Sequence, residues 1–286
     1  MAQPGGGPTV RRILLGSQLR QLREARGVTR EDAGYEIRAS ESKISRLELG
    51  RVGFKERDVA DLLTLYGVTD DDERAALLTM AREANSPGWW HNYSDVLPSW
   101  FQAYVGLEEA AALIRTYEVQ FVPGLLQTED YARAVISQGQ ADAPKAEIDR
   151  RVGLRMARQR LFDKPNAPLL WAVLDESALR RPLGGPTVMR DQLAKLIAVT
   201  DLPNVTLQIM PFPFGGHPAE SGAFTILRFP ELDLPDVVYL EQLTGALYLD
   251  KRDEVDQYLR VIESLAFAST TPKQTLDTLT AMRDQF

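Results

Sequence analysis

Residues 19–51 read LRQLREARGVTREDAGYEIRASESKISRLELGR, and this stretch narrows the possible folds more than any other feature of the chain. Leu15, Leu19 and Leu22 recur at helical spacing before Gly27, so a first helix of roughly ten residues ends at that glycine. Thr29 then opens a second short helix. With Asp32 three residues on it forms a variant capping box, and Ala33 and Ile37 supply the inward stripe. After the joint Ile37-Arg38-Ala39, Ser40 is a good N-cap for a third helix over 41–49, which Gly50 stops. Short helix, tight joint, short helix is the layout of a helix-turn-helix.

At 100° per residue, Ile44 and Leu47 of the third helix face inward. Ser42, Ser45 and Arg46 fall on the opposite half of the wheel, flanked by Glu41 and Lys43. Small hydroxyls allow close approach to a major groove, and one guanidinium can reach guanine O6 and N7. A solvated helix face has the same composition, so the wheel alone leaves both readings open.

Charge divides the chain in a way its total conceals. The net charge is −7, yet residues 1–57 hold 12 Lys and Arg against 7 Asp and Glu, a net of +5, and the remainder carries a net of −12. A basic segment on an acidic body still attracts phosphate locally. The chain has 286 residues, 44% of them hydrophobic, enough for a large domain or two ordinary ones. With no cysteine there is no disulfide framework, thiolate metal site or cysteine nucleophile. No membrane span and no secretory leader are legible, so a cytoplasmic protein is expected, with residues 1–10 as a disordered tail.

Two further helices are expected downstream: KERDVADLLTLYGV, with Val59, Leu62, Leu63 and Tyr66 on one face, and TDDDERAALLTMAREA, with Leu77, Leu78 and Met80 inward. They complete a five-helix domain over 11–84. Residues 85–104 then break the pattern with Pro87, Gly88 and Pro98, and hold Trp89, Trp90, Tyr93 and Trp100 without a regular period. This aromatic linker reads either as cement between domains or as part of a ligand cage.

Beyond it, helices are predicted at 99–119, 128–138 and 146–162. The last is basic, with Arg150, Arg151, Arg155, Arg158 and Arg160, which suits DNA phosphate, a solvated face or an acidic partner. Short β-branched runs at 168–175, 205–212, 223–229 and 236–243 predict strands, and 186–200, 251–269 and 272–286 predict helices. The fold class expected is mainly α with an α+β C-terminal part over 105–286, a mixed or antiparallel sheet covered by helices.

Enzymatic readings find little support. His91 and His217 are the only histidines, and phosphate-loop, GxGxxG and GxSxG patterns are absent. Asp175-Glu176 reads as the acidic start of a helix in preference to a catalytic pair. His217 lies in PFPFGGHPAESG beside Glu220, as an exposed loop residue or the rim of a ligand or partner pocket that could include Trp89 and Trp90. No enzyme activity, metal or cofactor is expected.

The 19–51 stretch resembles the XRE, or lambda-repressor-type, helix-turn-helix family, with Ser40, Ile44, Ser45, Glu48 and Gly50 in register. That resemblance implies base contacts from Glu41, Ser42 and Arg46. It further implies phosphate contacts from Arg30, Lys43 and Ser45, with Arg51 and Lys55 beyond the third helix, and a structural ion pair between Arg23 and Glu48. The chain departs from the family where Ala33-Gly34 stands for Leu-Ala and Arg38 for the turn glycine. The first departure predicts a module that leans on its neighbours, and the second a joint of different geometry. YEVQFVPGLLQTEDYARAVI, LDESALRRPLGGPTVMRDQL, VTLQIMPFPFGGHPAESGAFTILRF and VVYLEQLTGALYLDK resemble the large C-terminal domain of actinobacterial regulators of the WhiJ-like, antitoxin-like group. The implied function is sequence-specific binding of double-stranded DNA in transcription regulation, as repressor or activator. A homodimer is expected, together with a small partner protein or small-molecule effector. An antitoxin-like adaptor that works through protein binding is the alternative.

Overall fold

A computed structural model describes residues 8–230 and 234–286. Residues 1–7 of the expected tail lie outside the described residues, whereas helix α1 already begins at Pro8. The chain forms two compact units. The first holds 8–92 with Gln102–Ala110 and Leu234, and the second holds Tyr93–Phe101, Ala111–Pro230 and Pro235–Phe286.

The first unit is built on five helices: α1 (Pro8–Ala25), α2 (Arg30–Glu36), α3 (Glu41–Glu48), α4 (Glu56–Leu65) and α5 (Asp71–Ala84). Helix α1 is longer than its leucine repeat suggests. Leu15, Leu19, Ile44, Leu47, Leu62 and Leu63 are nearly inaccessible to solvent and form one core, with Leu78 and Met80 packed on its margin. Burying each such side chain contributes about 1.5–3 kcal/mol. Asp70 caps α5 by accepting from the Glu73 amide at 2.8 Å. Arg12 Nε donates to the last carbonyl of α5, Ala84 O, at 2.7 Å and so ties the ends of the unit together.

The two departures, one in α2 and one in the turn after it, meet at the same joint. A Cβ on Gly34 would stand 2.7 Å from Ala39 O, so the glycine admits the returning chain rather than weakening the helix for nothing. The Ala39 amide donates to Gly34 O at 2.7 Å and closes that joint. Arg38 corrects the second expectation: it adopts φ +55, so the turn keeps the left-handed geometry of a glycine despite carrying a side chain. Among the described residues it is the one non-glycine with positive φ, a strain of about 1–2 kcal/mol.

Residues 85–104, read as a linker, contain a 3-10 turn at Trp89–Tyr93 and the start of α6 (Ser99–Ala110). The second unit carries a six-stranded sheet of order β3-β2-β1-β4-β5-β6. Its strands are β1 (Leu113–Glu118), β2 (Leu169–Asp175), β3 (Val205–Met210), β4 (Phe224–Arg228), β5 (Val237–Gln242) and β6 (Gly245–Leu249). β1 pairs in parallel with β2, and β2 with β3. β4, β5 and β6 add antiparallel neighbours, so the sheet is mixed. Parallel pairing needs long crossovers. α7 (Glu129–Gly139) and α8 (Lys145–Gln159) make the first, and α9 (Glu176–Arg180) with α10 (Pro186–Val199) the second. β1 corrects the reading of 99–119 as one helix, and β6 was not anticipated. α11 (Arg252–Ala268) lays Val255, Ile262 and Leu265 against Tyr117, Val173, Phe224 and Val238 of the sheet, and α12 (Pro272–Arg283) opens with a complete capping box from Thr271 and Gln274.

Glu118 ends β1. Burial, then the charge of Glu241, pushes its carboxyl up to about 8 against the pull of Arg155.

Arg38→Gly should stabilise the first unit by roughly 1 kcal/mol and Gly34→Ala destabilise it by about 1–3 kcal/mol, both read from urea unfolding followed by circular dichroism. Because the folded chain keeps a proton on Glu118 that the unfolded chain releases near its ordinary 4.5, its contribution is fully present below that pH and lost as pH rises to about 8. Glu118→Gln should therefore flatten the fall in melting temperature between those two values.

Candidate nucleic-acid interface

Helices α2 and α3 are short, and their ends are set by side chains. Thr29 Oγ1 accepts from the Asp32 amide at 3.1 Å and donates to Asp32 Oδ2 at 2.7 Å. Ser40 Oγ accepts from the Lys43 amide at 3.3 Å. Each cap satisfies an amide that the helix leaves orphaned, worth about 1 kcal/mol.

The C-terminal end of α3 is held by a buried carboxylate. Glu48, 5% exposed, accepts from Arg23 Nε at 2.5 Å and Nη2 at 3.2 Å, and from Arg30 Nε at 2.9 Å. Arg23, itself buried, also donates to Val28 O at 2.9 Å, in the link between α1 and α2. One carboxylate thus ties α1, α2 and α3 together. The backbones meet closely on the same side: a Cβ on Gly16 of α1 would lie 2.5 Å from Leu47 O and 2.6 Å from Glu48 O.

With its inner face fixed in this way, α3 presents Glu41, Ser42 and Arg46 to solvent. Arg46 Nε rests at 3.3 Å on Ser42 O, one turn back, a weak bond that leaves the guanidinium able to extend. Ser45 is half-buried and Lys55 exposed, at the N-cap of α4. Arg51 is half-buried. Lys43 donates to Asp58 Oδ2 of α4 at 2.9 Å, and Asp58 is 4% exposed. Two of the five residues expected at phosphate, Arg30 and Lys43, are therefore oriented by carboxylates. Neither partnership was read from the sequence: the Arg30–Glu48 and Lys43–Asp58 spacings of 18 and 15 residues fit no local periodicity.

The four residues grouped as a possible pocket belong to different units. In the first, Trp89 and Trp90 meet edge to face at 6.0 Å, with Trp90 buried. In the second, His217 Nε2 lies 2.9 Å from the Tyr117 hydroxyl and 3.9 Å from Asp175 Oδ2, so the histidine anchors its loop to the ends of β1 and β2. Glu220 is exposed. Asp175 is the N-cap of α9, accepting from the Ser177 amide at 2.8 Å. Among the described residues no group of three acidic or histidine side chains could hold a metal ion, and no helix is long and apolar enough to cross a membrane. In α8, Arg150 pairs with Asp95 at 2.6 Å and Arg151 with Glu147 at 2.6 Å, while Arg155 donates to Gln127 Oε1 at 2.9 Å.

Removing one partner of a buried, hydrogen-bonded ion pair strands the other charge. Glu48→Gln should cost the first unit about 3–5 kcal/mol in urea unfolding, whereas Arg30→Ala, whose partner keeps Arg23, should cost about 1 kcal/mol or less.

Residues 14–77 match the family model of a helix-turn-helix domain, and residues 101–281 match that of the domain of unknown function DUF5753. Comparison with curated proteins and with solved structures finds no match to the chain. The second family model spans more than half of the sequence, and the chain belongs to the DUF5753 family, carrying that domain behind an N-terminal helix-turn-helix domain.

Proposed function

We propose that the chain is a sequence-specific DNA-binding transcription regulator. The observation that carries this reading is α3: its inner face and both ends are fixed by Ser40, Ile44, Leu47 and Glu48, and its free face offers Glu41, Ser42 and Arg46 together. Inserted in a major groove, Arg46 would donate to guanine O6 and N7, with Glu41 and Ser42 reading neighbouring base edges. Arg30 spends its Nε on Glu48 and keeps its terminal nitrogens for a phosphate. Lys43, Ser45, Arg51 and Lys55 complete the backbone contacts.

One short helix discriminates too little sequence by itself, and a homodimer reading two half-sites about one helical turn apart supplies the rest. The DUF5753 domain is the place for dimerisation and for an input, a small partner protein or a small molecule. The same proposal takes the protein as cytoplasmic and as one of the actinobacterial WhiJ-like, antitoxin-like group of XRE-type regulators that its sequence resembles. The proposed role involves no catalytic step. The competing reading is an adaptor that uses the same helices on a protein, and the pairing of Arg30 and Lys43 with carboxylates favours it to that extent.

Gel-shift titration decides between them. Arg46→Ala should lower affinity for a selected duplex and relax its sequence preference by about 1–3 kcal/mol at one position, whereas Arg30→Ala should weaken all duplexes alike. A random duplex should bind with a steep negative dependence on salt. An absence of salt-dependent binding would favour the adaptor.

A further inference from the structure

The second unit holds a cleft of about 280 Å³ between α8, α10 and the 3-10 turns Gly124–Leu126 and Arg160–Asp163. Leu126, Met156, Phe162, Val199 and Leu202 make most of its wall apolar, and Lys195 of α10 supplies a cation. The Lys195 ammonium donates to Gln127 O at 2.8 Å and to Gln159 Oε1 at 2.7 Å. Both acceptors are neutral, and among the described residues no carboxylate lies within ion-pair distance of it. Gln159 is held in this orientation because its amide donates to Gly124 O at 2.9 Å and Gln127 O at 2.8 Å, so the polar end of the cleft is built in advance. An ammonium has three donors, and one remains.

Burial of a cation without a counter-charge is costly, and burial indeed lowers the pKa of Lys195. Arg160, exposed on the cleft lining, adds a second positive charge against the single carboxylate of Asp163. The volume suits a small guest.

The geometry points to a binding site for a small amphipathic carboxylate, with its head on Lys195 and its apolar body between α8 and α10. Use of this site as an input to DNA binding rests on the regulator reading, whereas occupancy of the cleft does not.

Titration calorimetry of the full chain with octanoate, 1-octanol and octylamine tests the site without DNA, so a failure here leaves α3 recognition standing and a failure there leaves this site standing. Octanoate should bind saturably, one per chain, and at least about tenfold more tightly than either analogue, since one charge-assisted hydrogen bond distinguishes them. Lys195→Met should erase that advantage, Lys195→Arg should keep it, and Val199→Trp should exclude all three. Absence of saturable octanoate binding up to about 10 mM, equal binding of octylamine, or an unchanged advantage in Lys195→Met would overturn the site. Melting curves confirm that each variant is folded. Should Lys195→Met unfold, the wild-type contrast between octanoate and octylamine and the Lys195→Arg result still decide the question.

Discussion

The helix-turn-helix unit depends on one buried carboxylate. Glu48 sits at the last turn of α3 and takes hydrogen bonds from Arg23 of α1 and Arg30 of α2. Exposed ion pairs contribute little to stability, but a buried carboxylate met by three guanidinium donors loses those partners if any of the three helices moves away. The network therefore does more to set the relative placement of three short helices than to add net stability. Helices of seven and eight residues are too short to be stable alone, and their order comes from this carboxylate, from the caps at Thr29 and Ser40, and from the core around Ile44 and Leu47. The free face of α3 is set by what its other face packs against.

The same economy limits what the phosphate-facing residues can do. Arg30 belongs to the brace and to the proposed interface at once, and Lys43 leans on Asp58. A phosphate that approaches either cation meets a side chain already ordered, which lowers the entropy lost on binding, but also a nearby carboxylate, which lowers the electrostatic gain. Salt dependence is thus expected to report fewer phosphate contacts than the number of basic residues on this surface.

Legibility from the sequence followed the range of the forces involved. Caps, helix periodicity and the glycine stops are local, and so the ends of α2 and α3 could be read residue by residue. Strand runs with β-branched residues identified β2 to β5. β1 was hidden because LIRTYE follows directly on the alanine-rich end of α6 and carries its helical look onward; only pairing with Leu169–Asp175 and Phe224–Arg228, dozens of residues away, makes it the inner strand. Arg38 defeats a local reading for a related reason. Its own preference argues against φ +55, and the close approach of Ala39 to Gly34 imposes it. In the candidate interface the exposed residues of α3 were legible from the helix wheel. The Lys43–Asp58 pair and the share of Glu48 that Arg30 takes were not, because they arise from packing between helices.

Methylation interference shows whether α3 meets base edges in a major groove. On a duplex selected by the protein from a random pool, methylation of guanine N7 should block the wild type at a discrete guanine in each half-site and should not block Arg46→Ala at that position. Wild-type binding that is indifferent to N7 methylation at every guanine would mean that α3 does not read guanine in the major groove.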